Sequence, residues 1–196
     1  MIIILDLEFT AWEGSQEHGW SRPGEFREVV QIGALRVDSA SLLVTGEFNQ
    51  LVRPQRNPSL SDYFQDLTGI SQTAVDEQGR PFADALDAFL DFCDGHYVLS
   101  YGNDMVILGE NLILQVPEGR TPKRELPPFV NIRTYFNAVL PATAGLSSGR
   151  LAFALGLAAR IDREHDALAD CYSILETLRH LRELGHPLIA VGRPPG

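Results

Sequence analysis

The chain opens on an uninterrupted apolar run, Ile2-Ile3-Ile4-Leu5, three of whose four members are β-branched. Such a run predicts a buried strand. Residues 11–27 that follow are polar and glycine-rich, too long for a tight turn. Residues 28–37 and 42–52 predict two further strands joined by Asp38-Ser39-Ala40-Ser41, and that short connection implies an antiparallel meander with the first strand. Helical patterning then takes over. Residues 61–67 predict a short helix stopped by Gly69, and residues 71–77 another. Residues 81–92 predict an amphipathic helix with Pro81 in its first turn and Phe82, Leu86, Phe89 and Leu90 on one face.

Residues 97–101 predict a fourth strand running into a turn at Gly102-Asn103, with a helix over 104–114. The Pro-, Gly- and charge-rich residues 116–128 read as an exposed loop. A fifth strand is predicted at 129–132 and helices at 133–139 and 151–157. The last long helix, 167–184, carries Leu168, Cys171, Tyr172, Leu175 and Leu178 on one face. No internal repeat is visible. The order predicts an α/β fold, a mixed five-stranded sheet with three antiparallel strands and helices packed on it. Residues 1–185 form a single domain in this reading and residues 186–196 a C-terminal tail.

Composition narrows the class. With 44% hydrophobic and 21% charged residues, the 196-residue chain is a globular protein of one domain. No apolar stretch reaches bilayer length, and the N-terminal run lacks a basic flank and is cut short by Asp6, so neither a membrane partner nor a signal peptide is expected. Cys93 and Cys171 are isolated in apolar helical patterns, as expected of buried thiols in a cytoplasmic protein. The net charge of −10 argues against a protein that grips long duplexes through many phosphates. It leaves open a nucleic-acid enzyme whose excess acids are metal ligands. The one dense basic cluster, Arg120, Lys123 and Arg124, reads as a solvated loop.

Candidate chemistry sits on strand ends and helix starts. Asp6 and Glu8 are two residues apart on the first strand, so they project from one face. Like charges held that close are costly unless a cation or proton neutralises them. Alone, an Asp-x-Glu is ordinarily a strand ending in solvated acids. Asp104 directly follows the fourth strand, either as a helix N-cap or as a further ligand. Asp170 lies in the first turn of the last helix, where an acid also suits the helix dipole, and His165 stands where the chain enters that helix.

As an ordered set, Asp6-Leu7-Glu8, then Ser100-Tyr101-Gly102-Asn103-Asp104, then His165 with Asp170 make the chain resemble the DEDDh 3′→5′ exonucleases of the ribonuclease H-like superfamily. Residues 28–37 and Leu67-Thr68-Gly69-Ile70 fit the same family. The wording of residues 6–14 and 24–28 is similar to its KapD-like branch. The resemblance covers about residues 1–185 and implies a ribonuclease H-like sheet with helices on both faces. It implies hydrolysis of phosphodiester bonds at single-stranded RNA or DNA 3′ ends, releasing nucleoside 5′-monophosphates. Asp6, Glu8, Asp104, His165 and Asp170 would be the catalytic residues. The four acids would hold two Mg²⁺ ions, for which Mn²⁺ is expected to substitute. Asp6 would bridge the ions, and His165 would be the general base. By the same resemblance Phe9 and Thr10 would meet the terminal nucleotide and Leu67 and Thr68 would wedge against its base.

Trp12 and Tyr101 offer stacking surfaces or ordinary packing, and His18 and Trp20 lie in the same loop as Trp12. Asp162 and Asp166 compete with Asp170 for the third motif, and spacing from His165 favours Asp170. Two other readings stand beside the exonuclease: a non-catalytic nucleic-acid-binding or regulatory module, and a small-nucleotide phosphodiesterase. Protein partners are not legible.

Overall fold

The computed structural model describes residues 1–116, 120–158 and 165–187. Strand β1 (Ile2–Phe9) lies inside the sheet, with antiparallel β2 (Val29–Val37) on one side and parallel β5 (Val98–Ser100) on the other. Beyond β2 lies β3 (Val44–Arg53), edged by the two-residue β4 (Arg80–Pro81). Beyond β5 lies β6 (Phe129–Asn131), giving the order β4-β3-β2-β1-β5-β6. The ribonuclease H-like α/β architecture is present, with six strands rather than the expected five. The extra strand is β4, paired in parallel with Val52 and Arg53. Two residues carry no periodicity, so Pro81 reads from sequence as a helix start. In the structure it ends β4 and sits at the N-cap of α4 (Phe82–Cys93).

β1 is covered on both faces, which is why no polar residue interrupts its first half. Ile2 and Ile4, with Leu35 and Val37 opposite them, pack under α8 (Ala167–Glu183) and α6 (Arg133–Val139). Ile3, Leu5 and Leu7 pack with Ile32 and Ala34 against α4 and α5 (Asp104–Gln115). A bulge between Glu8 and Phe9 leaves Val30 without a partner on β1 and turns it into a third cluster. That cluster is built with Phe64 of α2 (Asp62–Thr68) and Val75 of α3 (Gln72–Gln78). Bulges of this kind re-aim side chains next to functional sites.

Several boundaries differ from the expected ones for local reasons. β3 begins at Val44 rather than Leu42. The Asp38 carboxylate accepts from the Ala40 and Ser41 amides, and Leu42 turns the chain at φ 57° with its side chain buried. The helix expected over 151–157 is one turn, α7 (Leu151–Ala154), because Gly156 turns left-handed at φ 68° and Leu157 bonds back to Ala152. The polar residues 11–27 contain one short turn of helix, α1 (Ser15–His18). Asp162 and most of the 186–196 tail lie outside the described residues. No described helix is long and apolar enough to cross a membrane.

One contact decides how α8 sits. Gly33 of β2 faces the first turn of α8, and a Cβ there would come within 2.3 Å of the Ala167 carbonyl carbon. The missing side chain lets the helix backbone lie directly on the sheet, where the Cys171 thiol reaches the Gly33 carbonyl oxygen at 3.3 Å. Gly33 is also the register partner of Asp6. Gly33→Ala is therefore expected to lift α8 and destabilise the fold by about 3 kcal/mol or more, read as a lower midpoint in urea unfolding.

Candidate active site

The pleat of β1 sends Asp6 and Glu8 to the face covered by α8, opposite Gly33 and Gln31. Asp104 is the first residue of α5, just past the end of β5. The N-cap position belongs to Asn103, so the Asp104 carboxylate is not spent as a cap and turns into the site. Gly102 makes room for it, since a Cβ there would stand 3.3 Å from Asp104 Oδ2. At α8 the two nearby acids divide the work. Asp166 is the N-cap, its Oδ1 accepting from the Ala169 amide at 2.9 Å. Asp170, one turn on, faces Asp6 and Glu8. Ser148 donates to Asp170 Oδ2 at 3.2 Å, and Gly149 passes so close that a Cβ would reach Asp170 Oδ1 at 2.4 Å. His165 completes the group: one ligand atom from each of Glu8, His165 and Asp170 lies within 4.8 Å of the other two.

Asp6, Glu8, Asp104 and Asp170 are 6%, 8%, 7% and 2% exposed. Acids are almost never buried to that degree without compensation. Burial first, then the charges of Asp170 and Asp104, hold both Asp6 and Glu8 well above the usual carboxylate range. Burial likewise pushes Asp104 up to about 6, opposed by its own backbone amide and by the charge of Arg133. Four acids from three elements, with an imidazole at their edge, form an oxygen-rich donor set that fits hard divalent cations. A bound cation would supply the neutralisation that burial denies them.

These residues line a cleft of about 370 Å³. Of the residues expected to contact substrate, Phe9, Trp12, Leu67 and Tyr101 lie on its wall. Tyr101 offers little surface, being 3% exposed, packed on Phe136 and donating its hydroxyl to the Thr143 carbonyl at 2.9 Å. Thr10 and Thr68 are buried behind the wall. The Thr10 hydroxyl donates to the Phe26 carbonyl and accepts from the Glu28 amide, while that of Thr68 donates to the Phe64 carbonyl and accepts from the Ile70 amide. The wall also includes Tyr63, Arg27, Arg133 and Ser148, which carry no motif spacing and are brought in only by the fold. Trp20 stacks on Phe9 at 5.4 Å between ring centres, and Arg27 lies over Trp20 while pairing with Glu110. The basic cluster Arg120, Lys123 and Arg124 is matched by Asp84, Asp87, Asp91 and Asp94, all but the last on α4. It is therefore a neutralised strap rather than a free cationic patch.

Similarity to known proteins points the same way. The ribonuclease T family model, described as exonuclease, matches residues 3–178, a span that contains all five clustered site residues. The chain belongs to the DEDDh 3′→5′ exonuclease family. Among its relatives, the mouse ERI1 exoribonuclease 2 is 35% identical over 88 residues, 45% of this chain and 12% of that protein. The fission yeast (Schizosaccharomyces pombe) 3′-5′ exonuclease eri1 is 36% identical over 95 residues, 48% of this chain and 30% of that protein. The match therefore spans less than a third of either relative's length. A solved full-length 3′-exonuclease superposes with a TM-score of 0.75 at 26% identity, covering 95% of this chain and 62% of that one. The nuclease domain of 3′hExo, a DEDDh family member bound to rAMP, gives 0.70 at 24% identity, covering 94% and 92%. Enzymes of this kind depend on divalent metal, and the carboxylate and histidine cluster is in place for it.

The raised carboxyls make a sign-definite prediction for this protein. Asp6, Glu8 and Asp104 bind protons more tightly folded than unfolded, so the metal-free protein loses stability as pH rises above the ordinary carboxylate value of about 4, with the Asp104 contribution lost through about 6. Thermal melting in chelator across that window should show the decline, and added Mn²⁺ should reverse it, most at the higher pH. Asp6→Asn should raise the metal-free Tm by roughly 3–6 °C and abolish most of the Mn²⁺-dependent rise.

Proposed function

We propose that the protein is a metal-dependent 3′→5′ exonuclease acting on single-stranded RNA ends and releasing nucleoside 5′-monophosphates. The observation that carries this is the convergence of Asp6, Glu8, Asp104 and Asp170 with His165 on the wall of one cleft. Support for RNA comes from the relatives named as exoribonucleases. Single-stranded DNA remains within the chemistry, because RNA and DNA present the same phosphodiester linkage at a 3′ end.

In this reading the four carboxylates hold two Mg²⁺ ions, with Mn²⁺ able to replace them. When bound, such ions lower the pKa of water and stabilise charge on the phosphodiester oxygens. Mg²⁺ prefers oxygen ligands, which leaves the imidazole of His165 available as the base. It takes a proton from the attacking water while the bond from phosphorus to the leaving 3′ oxygen breaks. The leaving oxygen takes a proton from solvent, and the shortened strand keeps a 3′ hydroxyl. Leu67 and Phe9, both on the cleft wall, contact the terminal base, and Trp12 adds a sequence-tolerant surface. Thr10 and Thr68 act through the wall they support, since their hydroxyls are bound internally.

Gripping a terminus explains how a chain of net charge −10 works on a polyanion. Few phosphates need neutralising, and cations held by the four carboxylates would offset the charge at the reacting end. The test is 5′-labelled single-stranded RNA and DNA incubated with Mg²⁺ or Mn²⁺. A ladder shortening from the 3′ end, lost with chelator and in Asp6→Ala, is expected. Retained binding without turnover would instead identify a binding module, and cleavage confined to mononucleotide-sized esters a small-nucleotide phosphodiesterase. His165→Ala should lower kcat by about 10²–10⁴-fold with metal binding largely intact; near-normal kcat would remove His165 from the base role.

A further inference from the structure

His165 adopts a left-handed backbone, φ 61°. For a residue with a Cβ this conformation is unfavourable and persists only where the surroundings over-determine it. The segment that follows, Asp166 and Ala167, is gripped by one side chain. Gln31 is 3% exposed, on β2, directly opposite Glu8 in the antiparallel register. Its Oε1 accepts from the Ala167 amide at 3.0 Å, one of the helix-start donors that α8 cannot satisfy internally. Its Nε2 donates to Asp166 Oδ2 at 3.1 Å and to Asn49 Oδ1 of β3 at 3.0 Å. Only a carboxamide offers an acceptor and two donors at this reach. The same bonds leave the other Asp166 oxygen to cap Ala169.

We propose that Gln31 is a positioning residue for the reaction. By holding Asp166 and Ala167 it keeps the imidazole of His165 beside Glu8 and Asp170. This rests on the exonuclease reading above, with His165 as base. Gln31 is not among the residues lining the cleft, and its amide is bonded to Ala167, Asp166 and Asn49; it acts through His165. Asp170 has separate support from Ser148 and Gly149, so the metal-holding carboxylates depend on Gln31 far less than the histidine does.

Gln31→Met keeps the side-chain length and removes both polar ends. On 5′-labelled single-stranded RNA in Mg²⁺, kcat is expected to fall about 10–100-fold while KM and Mn²⁺ affinity, read by EPR, stay within about threefold. In the His165→Ala background the same substitution should cost nothing further. An equal loss in both backgrounds, a parallel loss of Mn²⁺ affinity, or an unchanged kcat would overturn the proposal. If Gln31→Met melts far below the wild type, Gln31→Glu serves instead. It keeps the acceptor for Ala167 but sets a like charge against Asp166, and the same non-additivity with His165→Ala is expected. The clamp is also readable without turnover, from the ¹H–¹⁵N resonances of the His165 imidazole in the metal-free protein. Gln31→Met should broaden or split them, and unchanged resonances overturn the proposal. A wild type inactive on RNA and DNA counts against the exonuclease reading alone.

Discussion

Four carboxylates buried in one place repel one another, and every major element of this fold is arranged around holding them together. Asp6 and Glu8 are fixed by β1, whose neighbouring side chains are locked into the core on both faces. Asp104 is fixed by the start of α5 and Asp170 by the first turn of α8. Because each acid belongs to a separately packed element, none relieves the repulsion by swinging away without disturbing a hydrophobic cluster. The apolar packing thus offsets an electrostatic cost that a bound cation would remove.

The close approach at Gly33 is the mechanical counterpart of that constraint. A helix resting on side chains would stand about 10 Å from the sheet, too far for short acidic side chains on both to meet. Laying the backbone of α8 on a glycine brings Asp170 to Asp6. Gly149 does the same from the other side, letting its own backbone pass against the Asp170 carboxylate. Two glycines therefore decide whether Asp170 joins the other three acids.

Charge elsewhere is arranged to keep the cleft selective. The arginines of residues 120–124 are matched by acids on or next to α4, and Arg27 by Glu110. Arg133, stacked over Tyr101 with its guanidinium also bonded to the Leu146 carbonyl, is a cation on the cleft wall whose charge acts on Asp104. Little non-specific phosphate grip follows from such a surface, in keeping with the proposed action at strand ends.

The strands and long helices were legible because their signal is local: β-branched runs, 3.6-residue spacing, caps and glycine stops. The motif order of Asp6, Glu8, Asp104, His165 and Asp170 was legible for the same reason, each acid sitting at an element boundary. Choosing between Asp166 and Asp170 rested on spacing alone, and the structure gives the physical reason. One is the cap, and the other, a turn later, points at the sheet. What no pattern carried was anything depending on approach between distant segments. The two-residue β4 exists only because Arg80 and Pro81 come to lie beside β3. Thr10 and Thr68 look like substrate contacts until their hydroxyls are seen bonded internally, and Tyr63, Arg27, Ser148 and Gln31 acquire meaning only from their neighbours. Sequence by itself determined which groups could do chemistry and on which elements they ride, since side-chain periodicity is a property of the backbone. Tertiary structure alone decided which of them meet, because that depends on distances set by packing across the sheet, down to the missing Cβ of Gly33.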